Sequence, residues 1–335
     1  MIPGRKTALL ALVAFFLAYC VVVLGAYVRL SDAGLGCPDW PGCYGQMVLP
    51  VDAGISESLE HEFTDRPLVH GKAWKEMTHR YAAGTLGLLI LFLFVTTWAG
   101  NRPRRIPLVP LLLVVLVLFQ ALLGMWTVTL LLKPVIVVAH LLGGMMILSL
   151  LFWFFLRAFK PDRNPGTSPK LFTYAVIGIV VVFCQIALGG WTSANYAALA
   201  CPDFPSCQGQ WWPPMNFVEA FTLWRGLGVD YEFGVLDGDA RTAIHMTHRM
   251  GAVITALVVG IIACRAWLED NRLARRIGIV LFGVLLIQLT LGVCNVLMRL
   301  PLPVAVAHNG VAAFLLLTLV ALLHQSCKPR TVSDY

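Results

Sequence analysis

Eight apolar stretches constrain what this chain of 335 residues can fold into. A bilayer core of about 30 Å needs about 20 apolar residues per helix. A helix also satisfies every backbone polar group within its own segment, as lipid requires. The sequence therefore predicts an all-α polytopic membrane protein with eight transmembrane helices. We place them near residues 8–28, 77–99, 107–128, 135–156, 172–194, 243–264, 277–298 and 303–323.

The composition supports this prediction. Hydrophobic residues make up 58% of the chain and charged residues 13%, whereas a soluble domain has about 45–50% apolar and about 25% charged residues. These values exclude an ordinary soluble globule, a disordered chain and a fibrous protein. The net charge of +7 does not indicate nucleic-acid binding, because no basic run interleaves with aromatic residues and such an excess sets membrane topology.

The distribution of Lys and Arg predicts the topology. An even number of spans puts both termini on one side, and that side, which includes the loops at 100–106, 157–170 and 265–276, carries most of the Lys and Arg. The positive-inside rule then puts both termini in the cytoplasm of a bacterial cell, with the protein in the inner membrane. Two long loops, near 29–76 and 195–242, lie outside. The first span begins like a signal peptide, but its apolar run is too long for one, so we predict a retained helix.

The second half of the chain repeats the first, in the same order. We therefore predict two four-helix halves, residues 1–160 and 170–335. Each half has the same in–out order, so the two bundles should be related by a pseudo-twofold axis along the membrane normal. The matching segments are CPDWPGCYGQ at 37–46 and CPDFPSCQGQ at 201–210, MTHR at 77–80 and 246–249, and VAH at 138–140 and 306–308.

Four of the eight histidines recur with the repeat: His79, His140, His248 and His308. Each lies within the first two turns of an even-numbered predicted span, so each half presents two imidazoles at one depth near the outer face. An ionisable side chain within the bilayer is costly and marks a functional site by default; the alternative is a structural histidine bonded to a neighbouring helix. Two neutral imidazoles on facing helices suit haem iron. They suit a bare Zn or Cu ion less well, because such sites usually need more protein ligands.

One carboxylate distinguishes the two halves. Glu76 lies three residues before His79, on the same helical face, where it can relay a proton or stabilise a positive charge. Alternatively, it is an acidic residue that the helix dipole favours near an N-terminus. Its counterpart in the repeat is His245. The difference predicts one catalytic half and one half that holds a redox cofactor.

Two arginines and four cysteines complete the candidate residues. Arg80 and Arg249 directly follow two of the histidines, and they are candidates to pair with haem propionates or are ordinary interfacial residues. The cysteines form two pairs in the outer loops, where disulfides persist, so we predict two intraloop disulfides. Both a structural and a redox role for these disulfides stay open. The predicted pairs are Cys37–Cys43 and Cys201–Cys207.

Taken together, these features resemble the haem A synthase family over nearly the whole chain. The resemblance implies oxidation of the C8 methyl of haem O to a formyl group through a hydroxymethyl intermediate, which yields haem A for terminal oxidases. It also implies haem O synthase and an electron acceptor as partners, besides membrane lipid. The motifs that carry the resemblance are the paired loop cysteines, Glu76-x-x-His79-Arg80, His248-Arg249, His140 and His308.

The same resemblance implies a role for each candidate residue. His248 and His308 would ligate a haem B cofactor in the C-terminal half. His79 and His140 would form the substrate site for haem O in the N-terminal half. Glu76 would be the carboxylate that the chemistry requires.

Three other functions are compatible with parts of the sequence. A dihaem b-type electron-transfer protein would hold two permanent haems, but the difference between Glu76 and His245 argues against two equivalent sites. A haem transporter or assembly chaperone would hold haem weakly and would not need four strong ligands. A periplasmic thiol oxidoreductase would use the cysteine pairs and leave the four histidines unexplained.

Overall fold

The computed structural model of the protein describes residues 5–49, 67–100, 106–159 and 168–327. Eight of the helices in these ranges are long and apolar enough to cross a membrane. No strand occurs in the described ranges beyond two isolated bridges. The predicted all-α fold with eight candidate spans is therefore confirmed. The helices are α1 (Arg5–Leu30), α2 (His70–Gly100), α3 (Leu108–Thr129), α4 (Pro134–Phe159), α5 (Pro169–Ala194), α6 (Phe217–Ala220), α7 (Gly238–Trp267), α8 (Arg272–Leu297) and α9 (Leu302–Ser326).

Three helices, α2, α7 and α8, begin five to seven residues earlier than the sequence predicted. The first turns of these helices are polar, so hydropathy does not mark them. The first turns of α2 and α7 pack against loops of the protein. In α2, Ala73 is fully buried against the disulfide loop. In α7, Ala240 is fully buried in a cluster with Trp191 and Ala220. The preceding Asp237 also caps the helix locally, because its side chain accepts from the backbone N–H of Ala240. His79 and His248 consequently lie more than two turns into their helices, which corrects the predicted position within the first two turns.

The helices of each half pack in a closed ring. In the N-terminal half α1 contacts α2, α2 contacts α3, α3 contacts α4 and α4 returns to α1. The C-terminal half repeats this order with α5, α7, α8 and α9. Between the halves, α1 packs on α9, α5 packs on α4, and α4 packs on α9. Equivalent helices thus make equivalent contacts. The pseudo-twofold axis stays a prediction, and the proposed boundary between the halves, at 160–170, lies largely outside the described residues.

Both disulfide loops lie at one end of the bundle, which we call the disulfide end. The last turns of α1 and α5 meet there, because the Nη2 of Arg29 donates to the backbone oxygen of Ser193 over 2.6 Å. The guanidinium of Arg29 also lies 4.3 Å from the ring centroid of Tyr196, in the loop that follows α5. The two loops are therefore neighbours at the junction of the halves.

The long loop between α5 and α7 reaches over the N-terminal half at this end. Glu232 in the loop pairs with Lys72 of α2 over 3.9 Å. Lys133, at the start of α4, is only 2% exposed. Its Nζ donates to the carbonyl oxygen of Gly226 and lies 3.4 Å from the ring centroid of Trp224. The C-terminal half thus supplies part of the cover over the N-terminal bundle.

Candidate functional site

Two of the predicted histidines meet in the middle of the N-terminal bundle. His79 on α2 and His140 on α4 have ring centroids 6.5 Å apart and nearly perpendicular ring planes, at 77°. The two helices are on opposite sides of the ring of four and make no extensive contact with each other. Iron–nitrogen bonds of about 2 Å on opposite faces of one haem place imidazole centroids about 6 Å apart. The observed separation fits a haem iron between the two rings.

The surroundings of the ring nitrogens support this fit. The rings of His79 and His140 are buried, and each lies near a backbone carbonyl, that of Val21 and that of Gln120 respectively. A histidine that binds a metal ion through one ring nitrogen usually donates from the other one to such a carbonyl. The two residues therefore fit a haem in the N-terminal half.

Each of the four imidazoles lies against a glycine of a neighbouring helix. An added Cβ would approach the Cε1 of the imidazole to between 2.9 and 3.5 Å, so a glycine allows the ring to lie close to the backbone. These glycines were not predicted to have a role, although their recurrence within the repeat was a signal for one. The pairs, with the distance from the added Cβ to Cε1, are Gly25 with His79 (2.9 Å), Gly124 with His140 (3.5 Å), Gly189 with His248 (3.2 Å) and Gly292 with His308 (3.2 Å).

Glu76 is held by the disulfide loop and by an arginine of its own helix. Its side chain is nearly buried, at 6% exposed. Its Oε2 accepts the backbone N–H of Cys37 over 2.9 Å, and its Oε1 pairs with the Nη2 of Arg80 over 2.6 Å. The carboxylate is three residues before His79, so the two side chains share one face of α2. The structure therefore fixes this carboxylate on the histidine-bearing face of the helix.

Arg80 connects the carboxylate to the loop. Besides its pair with Glu76, its Nη1 donates to the carbonyl oxygens of Asp39 and Pro41, over 2.9 and 3.3 Å, and to that of Gly42. The guanidinium is thus bound to the loop backbone. Its predicted pairing with a haem propionate stays a prediction. The bonds to the loop were not predicted, because every residue type has a backbone carbonyl and the sequence does not show which of them a side chain will reach.

Arg249 repeats this arrangement in the C-terminal half. It donates to the carbonyl oxygens of Cys201, Asp203 and Ser206 over 3.2, 2.8 and 2.8 Å. Its Nε lies 3.3 Å from the Nε2 of His245. The predicted pairing of Arg249 with a propionate likewise stays a prediction.

The two halves differ in the side chain that faces the loop N–H and the arginine: this side chain is Glu76 in the N-terminal half and His245 in the C-terminal half. In the C-terminal half the backbone N–H of Cys201 approaches the Nδ1 of His245 to 3.3 Å, from the side opposite Arg249. A neutral imidazole has one acceptor nitrogen, whereas a carboxylate accepts at both oxygens. Only the N-terminal half therefore has an acidic group that accepts both donors, which is the asymmetry that the sequence predicted.

Both predicted disulfides are present, Cys37–Cys43 and Cys201–Cys207. All four of these cysteines are fully buried. An added Cβ on Gly36 would lie 2.7 Å from the backbone of Lys72, so the first loop packs directly on the start of α2. The disulfide loop therefore packs directly against the helix that carries the carboxylate.

An aspartate closes the turn in each disulfide loop. Asp203 accepts the backbone N–H groups of Gln208 and Gly209 over 2.6 and 3.0 Å, together with the hydroxyl of Ser206. The hydrogen bond from Ser206, followed by that from Gly209, lowers the pKa of Asp203 to about 2. Gly209 has φ of +74°, a conformation that favours glycine. Asp39 makes the same backbone contacts in the first loop, and the recurring Cys-Pro-Asp was the signal for this turn.

The eight candidate spans, with a buried histidine pair between α2 and α4 and two disulfide loops at one end, define the class of the protein as a multi-pass membrane protein with a site suited to binding haem. The family model of the COX15-CtaA cytochrome oxidase assembly proteins matches residues 8–320, and the chain belongs to this family. It is 45% identical over 306 residues to the heme A synthase of Shewanella oneidensis, and the aligned residues cover 90% of this chain and 91% of that relative. It is 27% identical over 338 residues to the heme A synthase of a Caulobacter species, with 94% of each chain covered. The predicted family resemblance is thus confirmed.

Proposed function

We propose that this chain is a haem A synthase that oxidises the C8 methyl of haem O to a formyl group through a hydroxymethyl intermediate. The observation that carries the proposal is the presence of a histidine pair in each half, with an acidic residue beside only one pair. The 45% identity to a protein named heme A synthase supports it. Haem O is the substrate in the N-terminal half, residues 1–160, and haem B is the cofactor in the C-terminal half, residues 170–335.

In the N-terminal half, His79 and His140 hold the iron of the substrate. Their ring centroids are 6.5 Å apart across the bundle, so the two imidazoles would hold the iron between α2 and α4. Each oxidation replaces one C–H bond of the methyl by a C–OH bond: the carbon gives two electrons to an external electron acceptor, a water molecule supplies the hydroxyl, and two protons are released while positive charge develops on the carbon. Glu76, held in place by Cys37 and Arg80, accepts a proton or stabilises that charge. The second oxidation gives a gem-diol, which loses water to leave the aldehyde.

In the C-terminal half, His248 and His308 hold the cofactor. Haem B supplies a one-electron redox centre there when it is bound. His245 replaces the carboxylate in this half, so no acidic group stands at the corresponding place. This difference assigns the chemistry to the N-terminal half and electron transfer to the C-terminal half.

The disulfide end faces the outside of a bacterial inner membrane in this proposal, with both termini in the cytoplasm. Disulfides persist outside the cytoplasm, and both disulfide loops lie at this end. The positive-inside rule gives the same orientation. The histidine pairs then lie toward the outer face, and haem O reaches them from the lipid or directly from a haem O synthase.

Co-expression with a haem O synthase tests the function. The protein would be purified in detergent, and its extracted haems identified by chromatography and mass. We expect haem A or its hydroxymethyl precursor together with haem B. If the preparation held haem B alone while haem O accumulated unaltered in the membranes, the electron-transfer function would be favoured and haem A synthesis refuted.

Replacing Gly25 by Ala should slow haem A formation by about 10-fold. The added Cβ would lie 2.9 Å from the Cε1 of His79, so the imidazole must shift by a few tenths of an ångström. A misplacement of about 1 Å near a reacting group can cost about 10²-fold in rate. The rate of haem A formation per bound haem B measures the effect. Gly84→Ala is the matched control, because an added Cβ there has nothing within 4 Å; equal rates in the two variants would contradict the prediction.

A further inference from the structure

The repeat puts one glutamine at the same position of each half, Gln120 on α3 and Gln288 on α8. Each lies four residues before a glycine that meets a histidine, Gly124 or Gly292, so glutamine and glycine share one face of the helix. The structure nevertheless puts the two side-chain amides in different places. The two matched glutamines can therefore serve different purposes.

In the N-terminal half the amide of Gln120 lies on a glycine of the neighbouring helix. An added Cβ on Gly143 of α4 would overlap the Nε2 of Gln120 and would lie 2.8 Å from its Cδ. Glycine is therefore the residue type that leaves room for the amide. Gly143 is three residues after His140, and the backbone carbonyl of Gln120 lies near the ring of that histidine. The amide is thus beside the site that we assign to haem O.

In the C-terminal half the corresponding place is filled. Val311 is the residue that corresponds to Gly143 in the repeat, and its side chain takes the room that the amide uses in the other half. The amide of Gln288 turns instead to the histidine, and its Nε2 lies 3.3 Å from the Nε2 of His308. Room for an amide at this place is thus specific to the N-terminal half.

The amide of Gln120 is a buried donor without an acceptor. Within the described ranges its Nε2 is buried and donates no hydrogen bond, and the residue is only 8% exposed. Such a donor costs free energy in an apolar interior, so native structures rarely keep one unless it has another use. An oxygen atom of the substrate can be the acceptor.

The depth of the amide matches one part of haem O. Gln120 lies four residues before Gly124 on a helix that runs toward the disulfide end, so it is about 6 Å further from that end. The charged propionates lie on one edge of a haem, and we expect that edge to point to the disulfide end, where water is nearer. The opposite edge of haem O carries the hydroxyethylfarnesyl group, whose hydroxyl is the polar group of that edge. Haem B has a vinyl group at the same position, which accepts no such hydrogen bond.

We propose that Gln120 donates a hydrogen bond to the hydroxyl of the hydroxyethylfarnesyl group and so makes the N-terminal site prefer haem O to haem B. This inference rests on the proposed function, which puts haem O in this half. A site that bonds a substrate hydroxyl discriminates against an analogue without it, because the polar group of the protein is then left unpaired. Gly143 acts through Gln120, since it provides the room in which the amide lies.

A competition between the two haems tests the proposal. Full-length protein purified with haem B would be incubated with mixtures of haem O and haem B, without an electron acceptor, and repurified. Its bound haems would then be extracted and separated by chromatography. Gln120→Met keeps the length of the side chain and removes the amide. We expect this variant to lower the preference for haem O by about 2- to 10-fold, the range of one neutral hydrogen bond, with the total haem per protein unchanged. Gln288→Met is the matched control and should keep the parental preference.

A second pair of variants tests the same contact and keeps the glutamine. Gly143→Ala places a methyl group where the amide lies, so we expect it to lower the preference for haem O as Gln120→Met does. Gly144→Ala is its matched control, because an added Cβ there lies at an ordinary 3.8 Å from Val22. An intact elution profile and both disulfides would show that each variant is folded. If Gln120→Met did not fold, the comparison of Gly143→Ala with Gly144→Ala would decide the matter.

Two results would overturn the inference. One is a parental preference for haem O in folded Gln120→Met, and the other is a loss of total haem with the preference unchanged, which would indicate general damage to the site. These outcomes are separable from the proposed function, because the competition measures binding and requires no synthesis of haem A. A parent that prefers haem O but forms no haem A would refute the synthase alone. A parent that forms haem A, beside a Gln120→Met variant with the same preference, would refute the role of Gln120 alone.

Discussion

Replacing Glu76 by Gln will leave haem B bound and will slow the oxidation of haem O by about 10²- to 10⁴-fold, the range that a positioned acid or base contributes. The amide has nearly the same shape and still offers one oxygen to the backbone N–H of Cys37. It cannot take a proton, it carries no charge to oppose positive charge on the substrate carbon, and it loses the ion pair with Arg80. Geometry is thus largely kept while the chemistry of the carboxylate is removed.

The measurement is the amount of haem A formed per haem B in membranes that contain haem O. His245→Gln is the matched control, since it makes the same residue at the equivalent position of the other half. We expect that variant to form haem A at a rate close to the parent. Parental activity in Glu76→Gln would remove the carboxylate from the mechanism, and an equal loss in both variants would indicate a general structural effect.

Replacing Arg80 by Leu will destabilise the disulfide end and lower the activity together. The Arg80 and Glu76 side chains are 13% and 6% exposed, so removal of the guanidinium leaves a nearly buried carboxylate without its partner. Breaking a buried ion pair from one side costs about 3–5 kcal/mol. The same substitution also frees the carbonyl groups of Asp39, Pro41 and Gly42 from their shared donor.

The variant Arg249→Leu separates the contribution of the buried ion pair from that of the bonds to the loop carbonyls. It removes a comparable set of bonds to loop carbonyls, but it leaves the imidazole of His245 rather than a carboxylate. We therefore expect Arg80→Leu to lower the thermal stability in detergent more than Arg249→Leu does, and to expose the Cys37–Cys43 disulfide to reduction by dithiothreitol before Cys201–Cys207. Equal losses of stability would show that the ion pair adds nothing beyond the bonds to the loop.

The sequence predicted the parts of this structure that depend on composition and repetition. Eight spans follow from hydropathy, and the pairing of Cys37 with Cys43 follows from spacing and compartment. The early start of α2 could not be predicted, because its first turn is polar and packs against the disulfide loop, whereas Asp237 was an available capping signal for the early start of α7. The packing of the first turn of α2 depends on the path of the loop after the chain has folded.

The candidate site was predictable to a similar extent. The four histidines could be predicted because they recur in both halves of the repeat, and Glu76 because its counterpart in the second half is a histidine. The bonds of Arg80 and Arg249 to loop carbonyls were not predictable, since every residue has a carbonyl and only the fold selects which ones converge. The contact of Gln185 in α5 with the ring and backbone of His248 in α7 was not predictable either, because sequence alone does not show which residues of two packed helices meet.

The equivalent contacts between the halves have a consequence for how such a chain arose. Where α1 packs on α9, its counterpart α5 packs on α4, and α4 meets its own counterpart α9. A half-length ancestor could have formed this interface as a homodimer, in which the same patch meets itself. Every substitution in that ancestor would have altered both subunits at once. In a single chain the two halves can differ, and here one half has a carboxylate, Glu76, where the other has the imidazole of His245.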